Sequence, residues 1–101
     1  MKLQILQLKS TPELHNYRFT SMRLLKQFNL KVDLNNYNEV YTDDSYSSLF
    51  TKNIDILEGI FQEFNIGKKP ESYKGHSLSV SDIVVLDGVN YYVDSFGFIK
   101  L

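Results

Sequence analysis

The chain has 101 residues, enough for one hydrophobic core and too few for two, and about two-thirds of its unfolded surface is removed from water on folding. Its formal charge of −1 supplies no global field for nucleic acid or an anionic membrane, and the absence of cysteine excludes disulfides, thiolate metal sites and a cysteine nucleophile. The aromatic residues are seven tyrosines and seven phenylalanines, which suits a small core of large side chains.

In chain order, Leu3, Ile5 and Lys9 alternate with Gln4, Leu6 and Leu8, which predicts a strand covered on both faces. Gln4 and Gln7 interrupt the apolar run, so no signal-peptide core is present, and no stretch approaches the ~20 apolar residues of a membrane span. These features, with the lack of cysteine, place the expectation in the cytoplasm. Thr11-Pro12 has the order of a helix cap and first turn. Leu14, Tyr17, Leu24, Leu25 and Phe28 then form one stripe at helical spacing, so the first helix begins at Thr11 or near Thr20 and ends near Asn29. Tyr37, Glu39 and Tyr41 alternate with Asn38, Val40 and Thr42, a strand over 37–42. The polar stretch from Asp43 to Lys52 follows and is expected to be the most mobile internal segment.

A second helix is predicted over 55–65. Leu57, Ile60, Phe61 and Phe64 sit at i, i+3, i+4 and i+7, Asp55 has capping-box spacing to Glu58, and Asn65, Gly67 and Pro70 stop the helix. The last third is β-rich. Ile83 to Leu86 is a β-branched run, Asp87-Gly88 a hairpin turn, Tyr91 to Val93 the second arm, and Phe98 to Leu101 a terminal strand. The expected fold class is α+β: a small mixed or mostly antiparallel sheet with a C-terminal β-meander and two helices packed on it, in a single domain over 1–101.

The run Gly75-His76-Ser77-Leu78-Ser79-Val80-Ser81-Asp82-Ile83-Val84-Val85-Leu86, followed by Tyr92-Val93-Asp94-Ser95-Phe96-Gly97-Phe98, resembles the signature of the YodL-like domain family. Phe64-Asn65-Ile66 with Pro70, Asn36-Tyr37 to Val40-Tyr41-Thr42, and Arg18-Phe19 are similar to the same family, so the resemblance spans nearly the whole chain. The signature positions are Gly75, His76, Ser77, Ser79, Ser81, Asp82, Asp94 and Gly97. The linker from Asp43 to Asn53 departs from the family in being longer and free of proline. The resemblance implies a setting in Gram-positive bacteria, their plasmids, phages and conjugative elements, often within larger proteins. It implies a fold more than a reaction.

No catalytic set is read from the residues. Gly75-His76-Ser77-Leu78-Ser79 lacks the final glycine of a nucleophile elbow, and serines 77, 79 and 81 fit the task of satisfying backbone groups at a strand entry. Asp82, Asp87 and Asp94 match no calcium loop, and His15 and His76 lie far apart, so no metal and no cofactor is expected. Lys68, Lys69 and Lys74 around Tyr73 form a small basic cluster. It could touch phosphate and stack on a base, or complement the dipole at the end of the preceding helix. The expected function is a non-catalytic protein-interaction or accessory domain. The alternative is a nucleic-acid-associated accessory protein, favoured if Arg18 joins the three lysines on one face. Tyr92, Phe96 and Phe98 are the candidate partner-binding residues, because alternation with Lys100 would turn Phe96 and Phe98 outward; the competing reading places both phenylalanines in the core, with Lys100 fraying at the chain end.

Overall fold

A computed structural model describes all residues, 1–101. The strands are β1 (Leu3–Leu8), β2 (Tyr37–Asp43), β3 (Ile83–Leu86), β4 (Val89–Val93) and β5 (Phe98–Lys100). They form one fully antiparallel sheet in the order β2-β1-β3-β4-β5, so the expected α+β fold with a C-terminal meander is present. The helices are α1 (Met22–Gln27) and α2 (Asn53–Asn65), with short 3-10 turns at Pro12–Tyr17 and Leu34–Asn36. No helix is long and apolar enough to cross a membrane.

Alternation along the strands divides the core in two. Leu3, Ile5, Val84, Leu86, Tyr91 and Val93 face α2, where they meet Ile56, Leu57, Ile60 and Phe64. Ile83, Val85 and Tyr92 face the opposite side and pack on Leu25 of α1, with Leu6, Leu30, Val32 and Ile99 around them. The two helices therefore cover opposite faces. This explains why Ile83 to Leu86 reads as a continuous apolar run: all four residues are buried.

The first helix departs from expectation. Its stripe is cut at Arg18-Phe19, where Phe19 takes φ 55°, and the two pieces are a 3-10 turn and a six-residue helix. Leu14 and Leu25 are buried, whereas Leu24 and Phe28 are exposed. Asn29, at φ 58°, supplies the predicted left-handed cap. Helix α2 starts two residues earlier than expected. Lys52 occupies the cap position without a side-chain bond, and Asp55 lies in the first turn instead of capping it, where its charge still complements the dipole. Ile56 takes the buried place expected for Phe61, which is half-buried and meets Phe98 edge-on at 6.4 Å between ring centroids.

Asp87 and Gly88, at φ 47° and 81°, form the left-handed pair that a two-residue hairpin needs. Within the 43–52 segment, Tyr46 reaches two distant parts of the chain. Its N–H donates to the Met1 carbonyl at 2.9 Å, and its hydroxyl donates to Glu63 Oε1 at 3.0 Å.

Candidate functional site

The polar centre of the molecule is built on Gln7. Alternation carries Gln7 onto the same buried face as Leu3 and Ile5, and it is 3 % exposed. A buried amide needs partners, and the signature run supplies them. Gln7 Nε2 donates to the His76 carbonyl at 2.9 Å and to Asp82 Oδ2 at 3.0 Å, and Gln7 Oε1 accepts the His76 N–H at 3.1 Å. The Tyr73 hydroxyl donates to the same His76 carbonyl at 2.7 Å.

Gly75 is dictated by this close approach. A Cβ there would fall on Gln7 Oε1 and within 3.0 Å of Val40 Cβ. Val40 is the extra residue where the β1–β2 register slips, and its freed carbonyl accepts the Lys74 N–H at 2.9 Å. The signature run is thus laced to the edge of the sheet on one side of Gly75 and to Gln7 on the other.

The run then turns over Ser79–Asp82. Asp82 N–H donates to the Ser79 carbonyl at 3.1 Å, and Ser79 N–H donates to Asp82 Oδ2 at 2.8 Å. Ser81 stands at φ 84°, a place in such a turn usually taken by glycine. Three bonds hold it there: its N–H to the Val93 carbonyl, its carbonyl from the Tyr37 hydroxyl at 2.7 Å, and its Oγ from the Phe19 N–H at 3.1 Å. Leu78, fully buried, ties the run to the end of α2. Its N–H donates to the Phe64 carbonyl, one of those the helix leaves open, and its own carbonyl accepts from the Asn65 side chain.

Asp82 is 2 % exposed, and burial pushes its carboxyl up to about 7, against the opposing pull of the Ser79 N–H, the His76 ring and Gln7. Burial likewise raises the Tyr37 and Tyr92 hydroxyls above their ordinary value; Tyr92 and then Asp82 add to it at Tyr37, and Asp94 and Asp82 at Tyr92.

These contacts give the signature residues architectural tasks. The His76 ring Nδ1 lies 2.8 Å from the Ser77 carbonyl and 3.3 Å from Gln7 Nε2; its partners include no serine hydroxyl. Ser79 Oγ donates to the Ser77 carbonyl. The three aspartates considered as metal ligands are apart in function and in space, with no clustered ligand group. Asp87 Oδ1 accepts the Lys2 N–H at 2.8 Å, and Asp94 Oδ1 accepts the Met22 N–H at 3.0 Å at the start of α1. Gly97, at φ 74°, closes the β4–β5 turn, where Asp94 N–H donates to its carbonyl. His15 is on the surface.

The family model of the YodL-like domain matches residues 2–101. The chain belongs to the YodL-like domain family. No curated protein and no solved structure matches it.

Within this YodL-like domain, the three residues proposed for partner binding part company. Tyr92 is 1 % exposed, and its hydroxyl donates to the Thr20 carbonyl at 2.6 Å; it belongs to the core under α1, which corrects the expectation that it shares a surface with the phenylalanines. Phe98 is half-buried against Phe61, and Phe96, outside the strand at the tip of the turn, is 94 % exposed. Glu58, Phe61, Phe96 and Phe98 line a cavity of about 210 Å³ beneath that tip. On the basic side, the Arg18 guanidinium donates inward to the carbonyls of Lys9 and Thr11. Lys74 borders a polar recess of about 250 Å³ with Ser10, Asn38 and His76, while Lys68 and Lys69 simply follow α2.

Sequence reasoning missed Gln7, the hub of the site. Its signal was a glutamine at an inward parity of an alternating strand. Replacing Gln7 by Ala is expected to cost about 2–3 kcal/mol, because the His76 N–H loses its acceptor and Asp82 keeps one donor of two. Urea unfolding checks this; a loss below about 0.5 kcal/mol would show that the hub does not hold the run.

Proposed function

We propose that this YodL-like domain is a non-catalytic protein-interaction or accessory module, working in the cytoplasm of Gram-positive bacteria and carried by their plasmids, phages and conjugative elements. The observation that carries the reading is Phe96. A phenylalanine 94 % exposed at the tip of a turn contributes nothing to the fold, and it stands at the mouth of a cavity lined by Phe61, Phe98 and Glu58. Covering such a side chain gains roughly 1.5–3 kcal/mol, the scale of an interface anchor. The signature residues support the same reading by being occupied with one another.

The test is Phe96→Ser. The melting temperature is expected to stay within about 2 °C, because no packing is lost. Capture of a specific protein from lysate of a Gram-positive host, quantified by mass spectrometry against the unsubstituted chain, is expected to vanish. Capture unchanged by the substitution would overturn the reading. The nucleic-acid alternative draws on Lys74 and His76 at the polar recess and on the tyrosine beside them. It is weakened by Arg18, whose charge is turned inward.

A further inference from the structure

Strand β5 is one edge of the sheet, and its pairing with β4 fixes which main-chain groups are free. Asp94 N–H donates to the Gly97 carbonyl and Leu101 N–H to the Asn90 carbonyl. In an antiparallel ladder the bonded pairs alternate, so Gly97, Ile99 and Leu101 point their main-chain groups at β4. Phe98 and Lys100 point theirs outward. The opposite edge differs: on β2, the Val40 carbonyl already accepts Lys74 N–H.

A cavity flanks β5 on each face of the sheet. On the α2 face lies the cavity of Phe61, Phe96, Phe98 and Glu58. On the α1 face, a groove of about 530 Å³ has an apolar floor of Met22, Leu30, Val32 and Leu101, with Lys26 and Lys31 on its rim. Both lysines are exposed and unpaired, since the one ion pair in the chain joins Lys2 to Asp44. The groove on the α1 side of the open edge therefore has a basic rim, while the cavity on the α2 side has Glu58 and Asp94 in its lining, with Lys100, which shares the parity of Phe98, further along that face. A short edge strand bearing lysine is also a common protection against unwanted pairing. Protection alone does not call for a cavity on each face beside the edge, one with lysines at its rim and one with carboxylates among its phenylalanines.

Resting on the interaction reading above, we propose that β5 accepts an extended segment of another protein as a sixth strand, with acidic residues at one parity and apolar residues at the other. Main-chain bonds to Phe98 and Lys100 supply the register. Because successive side chains of a strand point to opposite faces, the acidic parity meets Lys26 and Lys31, and the apolar parity fills the aromatic cavity, where Glu58 repels acids.

The test is selection of random octapeptides on the immobilised full chain. The expected peptides show acidic residues at every second position with apolar residues between. Lys100→Pro removes only an outward N–H, so the β4 ladder survives; it is expected to weaken capture at least tenfold with the melting temperature nearly kept. The double change Lys26→Glu with Lys31→Glu is expected to select basic residues at the same parity. As a check that needs no folded variant, methylating the nitrogens of alternate residues in a selected peptide should abolish binding for one parity and spare the other. Peptides with no period of two, binding insensitive to both the proline and the methylation, or a dimer of this chain that Lys100→Pro dissolves would each overturn the proposal. If these fail while Phe96→Ser still abolishes partner capture, the interaction reading stands and the strand-pairing mode alone is lost.

Discussion

Replacing Asp82 by Asn is expected to leave stability nearly unchanged at pH 3 and to raise it by on the order of 4 kcal/mol at pH 8. Asp82 Oδ2 alone accepts both bonds, from Ser79 N–H and Gln7 Nε2, so an asparagine Oδ1 in that place keeps both. What changes is the charge. Burial lifts the folded carboxyl from 3.8 to about 7. Below both values the group is neutral in the folded and unfolded chain alike, and the substitution is close to isosteric. Between them the unfolded chain ionises while the folded chain keeps its proton. The folded state then binds more protons, and stability falls as pH rises, levelling off above the folded value. Asparagine has no such slope. Urea unfolding of both proteins from pH 3 to pH 8 checks this, and parallel curves would contradict it.

Phe64→Ala is expected to cost about 3–5 kcal/mol and to lower the melting temperature by more than ~12 °C. Phe64 is fully buried at the end of α2. It stacks on Tyr73 at 5.4 Å and lies 5.1 Å from Tyr41, and its carbonyl holds Leu78 of the signature run. Truncation opens a cavity where the helix, the bulged edge of the sheet and the run meet, and none of the three can collapse into it without breaking main-chain bonds. Calorimetry checks the loss. Phe61→Ala serves as the comparison, because Phe61 is half-buried beside Phe98 and should cost less. Equal losses would mean that the helix is oriented differently.

Elements with strong local patterns were legible in the sequence. Leu57, Ile60 and Phe64 announce α2, Asp87-Gly88 announces its hairpin, and Asn29 announces the end of α1. The break at Phe19 was not legible. Its left-handed conformation is held by Ser81 Oγ, a partner 62 residues away, so helical spacing in the stripe carried no warning. The inward turn of Tyr92 was hidden for a similar reason. Its side of the sheet is covered by α1, and only the tertiary placement of that helix decides which parity is wet. Grouping Phe96 with Phe98 carries the alternation of the terminal strand back across Gly97, beyond the strand's own start at Phe98. The left-handed Gly97 intervenes and frees Phe96 from the alternation. The signature run was recognisable as a pattern, yet its task became clear only once Gln7 was seen inside it.

The central claim is that the signature run builds the domain while recognition belongs to the rim around Phe96. The most direct measurement compares partner capture from host lysate by two folded variants, Asp82→Asn and Phe96→Ser, at pH 7.5 and equal concentration. The account predicts that Asp82→Asn captures as the unsubstituted chain does and Phe96→Ser captures nothing. Loss of capture by a stably folded Asp82→Asn, with Phe96→Ser unaffected, would contradict it and move the working site to the signature run.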